Sequence, residues 1–344
     1  MIDIDGSFLE GGGQIIRTAV GLSAVTGKPC RIFNIRKGRP NPGLQPQHLK
    51  GIEAVARLCD ADVLNLKPSS TEICFSPKKI SSESLKIDIG TAGAATLVLQ
   101  SLLIPAIQSE RPMEFEISGG TNVPWSPNIE YFENIFSRFL SIMGVDVKTE
   151  VKKYGFYPKG GGLVKVFVNP SRLKPLSLRE QGKYLRTDIF SIASRDLEKA
   201  NVAERQIQGA EKTLKTTYQI KKYVETLSPG CSVHMHSHYS NTILGAGFLG
   251  EKGLKAELVG EKCASLLKKQ SDSRACLDEW MADQILPYIA LCEKPSDVTV
   301  SKLTGHAKTN IWVIKQFLDA DFKTENLGSC FLIKCLPKRG IFSE

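Results

Sequence analysis

Apolar residues recur every three or four positions over residues 14–25, 94–107 and 279–291, a spacing that predicts three helices with a buried stripe each. Downstream of each window the period falls to two, and the runs at 31–35, 113–117 and 298–301 read as strands. A loop and a second helical window follow every one of these strands. The second helices end on a shared phrase built from a small residue, an aspartate and a strand: Asp60-Ala61-Asp62-Val63, Gly144-Val145-Asp146-Val147 and Asp319-Ala320-Asp321-Phe322. Hairpin patterns come next, as at 63–66 with 72–75 and at 322–325 with 330–334. Each repeat therefore reads β-α-β-α-β-β.

The marker aspartates Asp62 and Asp146 are about 84 residues apart, and Asp321 follows about 175 residues later, a surplus of about 90. That surplus is the size of a small domain. It falls at 183–273, where the pattern predicts a strand at 184–193, a long polar helix at 196–217, further strands and a Lys-rich helix. The expected fold class is α/β (α+β): three β-α-β-α-β-β units packed around a pseudo-threefold axis, helices inward and sheets outward. A smaller inserted α/β domain, 183–273, is expected between units two and three, leaving 1–182 plus 274–344 as the large three-repeat domain. The loops Arg36-Lys37-Gly38-Arg39, Gly119-Gly120-Thr121 and Thr304-Gly305-His306 then take related positions.

Charge narrows the partners. A formal net charge of +9 over 344 residues favours anions such as nucleotides or nucleic acid. The nine cysteines form no C-x-x-C pair, which fits a reducing, cytoplasmic location. The chain opens directly on strand-like Met1-Ile2-Asp3-Ile4-Asp5, and no apolar run reaches membrane-spanning length, so neither export nor a membrane partner is expected. Oligomeric state stays open, a homo-oligomer included.

Four stretches carry candidate chemistry. Glu10-Gly11-Gly12-Gly13-Gln14 puts three glycines before a helix, so bare N–H groups can bind an anion, with Arg17 one turn inside. Glu10 would repel phosphate unless a divalent cation bridged the two. The stretch is not a P-loop, since that motif's lysine and Ser/Thr are absent. In the second stretch, Arg36, Lys37 and Arg39 precede Pro40, Pro42 and Pro46, and stiffened arginines suit phosphate. In the third, Trp280, Asp283 and Gln284 open a helix able to stack on and hydrogen-bond a base, with Pro127 as an apolar wall and Gln100 as a polar contact. The fourth is a strand-to-helix corner that projects His306 from a turn opened by Gly305, with Lys308 near and Thr309 and Asn310 available to cap the helix. Each stretch also has a purely structural reading: a glycine turn, a solvated loop, a core tryptophan, a surface histidine.

Over essentially its whole length the chain resembles the RNA 3′-terminal phosphate cyclases. The resemblance runs through Glu10-Gly11-Gly12-Gly13-Gln14, Arg36-Lys37-Gly38-Arg39-Pro40-Asn41-Pro42-Gly43-Leu44, Gln47-His48, Tyr157-Pro158-Lys159-Gly160-Gly161-Gly162, Ala282-Asp283-Gln284 and His306 with Thr309-Asn310. It implies an ATP-dependent conversion of an RNA 3′-phosphate to a 2′,3′-cyclic phosphate through a covalent histidine-AMP, with Mg²⁺ or Mn²⁺. On that resemblance His306 is the nucleophile and Glu10 the metal ligand. Gln14, Arg17, Arg36, Arg39, Gln47 and His48 bind the triphosphate or the RNA end. Trp280 and Pro127 sandwich adenine, with Gln100, Met281, Ala282, Asp283 and Gln284 around the nucleotide. Relatives more often carry tyrosine where this chain has Trp280, which keeps stacking and loses a hydroxyl.

His234, His236 and His238 match no motif of that family. Strand alternation puts them on one face, expected as a polar outer face without bound metal. Two rival functions are weighed against the cyclase. A non-catalytic, RNA-binding ribosome-biogenesis scaffold of the same fold would lack the nucleophile, whereas His306 is present. A fold-related transferase such as EPSP synthase shares the repeats without the histidine motif or the arginines.

Overall fold

The computed structural model describes residues 1–81 and 84–338. Strands β1 (Ile2–Asp5), β2 (Cys30–Phe33), β3 (Asp62–Leu64) and β4 (Ile73–Ser76) form a sheet in the order β1-β2-β4-β3. Strands β5 (Leu85–Asp88), β6 (Met113–Gly119), β7 (Asp146–Lys153) and β8 (Gly162–Asn169) form a second, ordered β5-β6-β8-β7. The third combines β9 (Ser177–Leu178), β14 (Ser296–Val300), β15 (Ala320–Asn326) and β16 (Phe331–Pro337) in the order β15-β16-β14-β9. All three share one strand order and one set of senses: the first two strands in sequence pair parallel, and the hairpin adds antiparallel strands.

Parallel neighbours need a crossover, and the apolar helices supply it. Helix α1 (Gly13–Thr26) joins β1 to β2, and α3 (Ala95–Ala106) joins β5 to β6. The second helix of each unit is α2 (Pro46–Leu58), the run α4 (Ile129–Tyr131) to α5 (Ser137–Ile142) with π-helical Phe132–Phe136 between, or α10 (Gly305–Phe317). Helix α1 packs on α2, α3 and α10, so a helix buried on most sides lies at the centre. One apolar core extends from Ile15 and Val20 through Leu99 and Phe136 to Tyr288 and Val313.

The third crossover departs from the other two. Strand β9 precedes the inserted segment and pairs with β14 after it, so the insertion lies inside the third unit rather than between units two and three. The predicted helix at 279–291 is broken into α8 (Met281–Gln284) and α9 (Leu286–Ala290). Pro287 has no N–H to donate to the Asp283 carbonyl, and the Asn310 amide donates there instead at 2.8 Å.

Within the insertion, β10 (Tyr184–Ser194), β11 (Tyr218–Val224), β12 (Cys231–Tyr239) and β13 (Ile243–Leu249) form a sheet ordered β11-β10-β12-β13. Helices α6 (Val202–Glu211) and α7 (Ala256–Asp272) cover one face, burying Ile189, Val233, Met235 and Leu267. The long helix expected at 196–217 is shorter. Asn201, at φ 50°, separates a 3-10 turn (Arg195–Ala200) from α6, and the chain after Glu211 turns to pair β11 parallel with β10. The histidine row corrects a second expectation: all three share a face, but His234 and His236 are buried rather than exposed. Their face turns to the large body, where the Tyr131 ring meets His234 edge-on at 6.0 Å. No helix among the described residues is long and apolar enough to cross a membrane.

Helices α6 and α7 cross at backbone contact. A Cβ on Gly260 would lie 1.8 Å from the Gln206 carbonyl oxygen, and one on Gly209 would lie 1.9 Å from that of Glu257. Gly260→Ala is expected to cost about 3 kcal/mol of stability through overpacking. Gly38→Ala, where nothing stands within 4 Å, is expected to be neutral; urea unfolding followed by circular dichroism compares the two.

Candidate active site

The corner that begins α10 carries His306. Thr304 caps the helix, its hydroxyl accepting the Ala307 N–H at 3.0 Å. Thr309 and Asn310, expected as caps, instead lie buried inside the helix and tie it to its neighbours. Asn310 accepts from the Thr18 hydroxyl at 2.7 Å, and Thr309 accepts the Glu10 N–H at 3.4 Å. Gly305 stands where a Cβ would be 2.4 Å from the Glu10 carboxylate, so its small size admits Glu10 to the corner.

His306 is held at two points by Gln14. The Gln14 amide nitrogen donates to the His306 carbonyl at 2.8 Å, which leaves its oxygen facing His306 Nδ1. An amide oxygen only accepts, so Nδ1 carries the proton and donates to it. In the neutral ring Nε2 then has a free lone pair, aimed toward Glu10 Oε1 at 4.0 Å. Desolvation lowers the His306 pKa below its ordinary value; Glu10 opposes the shift, and Arg17 and Arg39 add to it. The ring is thus a neutral base at pH 7, exposed at Nε2.

Cations surround it. Arg39 donates to the Glu10 carbonyl at 2.7 Å and to Oε1 at 3.2 Å, which brings the basic loop against the glycine turn. Burial pulls the half-buried Arg17 guanidinium down to about 10, while Asp283 on α8 holds it up. Burial raises Asp283 to about 7 against the pull of Arg17. Arg36 is committed to its own loop, donating to the carbonyls of Asn41 and Gly43, the latter at 3.1 Å. His48 is buried against Gly13, and burial lowers its pKa to about 3. Its Nδ1 accepts the Gln45 N–H at 3.1 Å, so Nε2 carries the proton and the ring supports the glycine turn without charge. Gln47 accepts the Ala94 N–H at 3.2 Å, fastening the start of α3 to α2.

A narrow recess of about 20 Å³, room for about one water, lies between α1, α3 and α8, lined by Gln14, Arg17, Gln100, Asp283 and Gln284. Gln100 donates to Gln284 at 2.8 Å, and Gln284 donates to the Trp280 carbonyl at 2.8 Å. Trp280 is half-buried, with its ring edge-on to Tyr131 at 6.5 Å. The side chains of Met281 and Ala282 lie in the core, so these two residues can meet a ligand only through their backbone. Pro127 is fixed by its carbonyl, which accepts from Thr96 at 2.9 Å.

Sequence reasoning missed Asp278. This buried carboxylate accepts from the Tyr131 hydroxyl at 2.6 Å, from the N–H groups of Trp280 and Met281 at 3.1 and 2.8 Å, and from Gly245 of β13 at 3.0 Å. Its position just before an apolar helix is the signal that would have found it. The histidine row has a matching anion of its own. Asp188 meets His238 Nε2 at 2.9 Å and accepts from Arg186 Nε at 3.0 and 3.1 Å. His234 Nε2 and His236 Nδ1 stand 3.2 Å apart.

Fold and site together define a mixed α/β protein that holds His306 as a neutral ring beside the glycine-rich start of α1. The family model described as RNA 3′-terminal phosphate cyclase (RTC) matches residues 8–324, and the chain belongs to that family. A relative from Archaeoglobus fulgidus, named RNA 3′-terminal phosphate cyclase, is 41% identical over 97% of this chain and 100% of its own. Another of that name, from Thermococcus gammatolerans, is 42% identical over 98% of each chain. Among solved structures, the enolpyruvyl transferase NikO from Streptomyces tendae is similar at a TM-score of 0.38 and 10% identity, over 96% of this chain and 47% of that one. The chain spans about half of that structure, and a likeness of this size carries no argument about function.

Two outcomes are expected from this geometry. Nitrogen NMR on labelled histidine is expected to show His306 protonated at Nδ1 and bare at Nε2 at pH 7, titrating below 6.5. An Nε2–H ring would contradict the Gln14 lock. Asp278→Asn turns one acceptor into a donor facing the Gly245 N–H, which is expected to cost about 1–3 kcal/mol in chemical unfolding.

Proposed function

We propose that this protein is an ATP-dependent RNA 3′-terminal phosphate cyclase working through a covalent His306–AMP. The observation that carries the proposal is the two-point grip of Gln14 on His306, which leaves Nε2 as a bare lone pair beside Arg39 and the glycine turn. In the first step Nε2 attacks the α-phosphorus of ATP, a P–N bond forms, and the bond to the β-phosphate oxygen breaks, releasing pyrophosphate. An oxygen of the RNA 3′-phosphate then attacks the same phosphorus, breaking P–N and forming an anhydride. The 2′-hydroxyl attacks the 3′-phosphorus, loses its proton, and expels AMP. Imidazole suits the first two steps because it is a good nucleophile when neutral and a good leaving group once its Nε2 is bonded to phosphorus.

Arg39, Arg17 and the N–H groups at the start of α1 balance phosphate charge, and Trp280 and Pro127 take the adenine between them, with Gln100, Asp283 and Gln284 around the nucleotide. Gln47, placed between α2 and α3, faces the RNA end. Glu10 fits Mg²⁺ or Mn²⁺ as a single carboxylate ligand, since such ions keep most of their shell as water and substrate phosphate. When bound, the ion neutralises the triphosphate and leaving pyrophosphate. The matching order of the three sheets supports their packing about a pseudo-threefold axis, with 183–273 as an inserted domain. Nine free cysteines support a cytoplasmic setting. The scaffold reading gains nothing from a histidine so held.

Incubation with metal and α-labelled ATP is expected to label the protein through an acid-labile, alkali-stable bond that is lost in His306→Ala. Added RNA with a 3′-phosphate is expected to acquire a phosphatase-resistant end. A protein that binds RNA but takes up no label would be the scaffold.

A further inference from the structure

Trp125 is the largest apolar side chain in the molecule to stand in the open, 93% exposed, whereas Trp280 and Trp312 are both packed against the core. Its backbone sits at φ 63°, the left-handed region that bulky residues avoid. Nothing buried repays that strain, which makes a ligand-facing role the physical question to ask.

The loop that presents it is rigid. Val123 is buried against Ala94 and Leu97 at the start of α3. The Ser126 hydroxyl donates to the Val123 carbonyl at 2.9 Å, Thr96 donates to the Pro127 carbonyl at 2.9 Å, and Asn128 accepts the Tyr131 N–H at 3.2 Å to cap α4. Trp125 is therefore fixed on a loop held at both ends, not swept about on a flexible one. Its loop is tied through Thr96 to α3, the helix that carries Gln100 of the recess lining. Thr96 lies one turn of α3, roughly 6 Å, outward from Gln100, and Gln47 is bonded to Ala94 at the outer end of the same helix. A strand-like bridge, Asn122 to Phe156, joins this segment to the one that carries exposed Tyr157 and Lys159.

We infer that Trp125 is a stacking platform for a nucleobase of the RNA substrate, the one next to the nucleotide that carries the reacting phosphate. The inference rests on the cyclase reading. An open aromatic face on a chain of net charge +9 is the combination that holds single-stranded nucleic acid without regard to sequence. Pro127 and Trp125 share one short loop but serve different bases: the cyclase reading gives Pro127 to the adenine, and Trp125, standing in solvent, is free for a base of the RNA. The platform gives preference for an oligonucleotide end over a mononucleotide without adding anything to the chemistry.

The test compares wild type with Trp125→Ala and Trp125→Phe on a short oligoribonucleotide bearing a 3′-phosphate. Trp125→Ala is expected to raise KM for the oligonucleotide about tenfold, in the range for loss of one base–aromatic stack. Both kcat and adenylylation by ATP alone are expected to stay unchanged, and Trp125→Phe to recover most of the loss. A substrate with an abasic site next to its 3′ end is expected to bring wild type down to the level of Trp125→Ala. Equal KM values for wild type and Trp125→Ala on the intact oligonucleotide would overturn the platform. So would self-association of the wild type that Trp125→Ala abolishes, since a second copy would then cover the ring. If the wild type fails to cyclise, quenching of tryptophan emission by the oligonucleotide still reads the platform, being expected in wild type and absent in Trp125→Ala.

Discussion

A single buried carboxylate ties the site to the rest of the molecule. Asp278 gathers a hydroxyl from α4 and three N–H groups, two at the start of α8 and one on β13 of the insertion. Burial raises its pKa to about 6, and the hydrogen bonds it accepts work against that rise. The turn carrying Trp280, Asp283 and Gln284 thus takes its position from a contact that also locks the insertion to the body. Neither element can shift without leaving a buried acceptor or donor unmatched, which is why one side chain governs both.

The corner around His306 is organised the same way, by matching polar groups across elements distant in sequence. Gln14 grips His306, Thr18 meets Asn310, and Asn310 takes the carbonyl that Pro287 leaves free. Helices α1, α8 and α10 meet through these bonds. The arrangement sets the tautomer of His306, holds α10 to α1, and opens the recess with the same few residues.

Much of this was legible in the chain. The apolar period located α1, α3 and α10, the hairpin signals located β3–β4 and β15–β16, and the glycine run and arginine loop do lie beside His306. What periodicity cannot carry is pairing over long separations. The helix at 279–291 read as one because its apolar stripe continues through Pro287, and only the position of Asn310 explains why the break is tolerated. The long polar pattern at 196–217 hid the turn at Asn201, since polar residues suit a half-covered helix and a loop alike. His234, His236 and His238 were correctly placed on one face, but a strand's alternation does not say which face meets a partner. Within the site, residue type did not tell that Arg36 donates to carbonyls of its own loop or that burial leaves His48 uncharged behind the glycines.

The entry of the insertion into the third crossover has a kinetic side. Strand β9 pairs with β14 across a separation of 120 residues, as the Ser177 contact with Asp297 records, so early in synthesis β9 has no partner. The first two sheets draw on strands that emerge close together and can close first. The insertion is also local, and folding it draws its own ends together, because Gln181 donates to the carbonyls of Ser271 and Ala275 at 3.2 and 2.9 Å. A folded insertion therefore turns a very long loop into a short one before β14 arrives. Folding of the insertion then brings the His306 corner, made near the end of the chain, closer to the glycine turn made near its start.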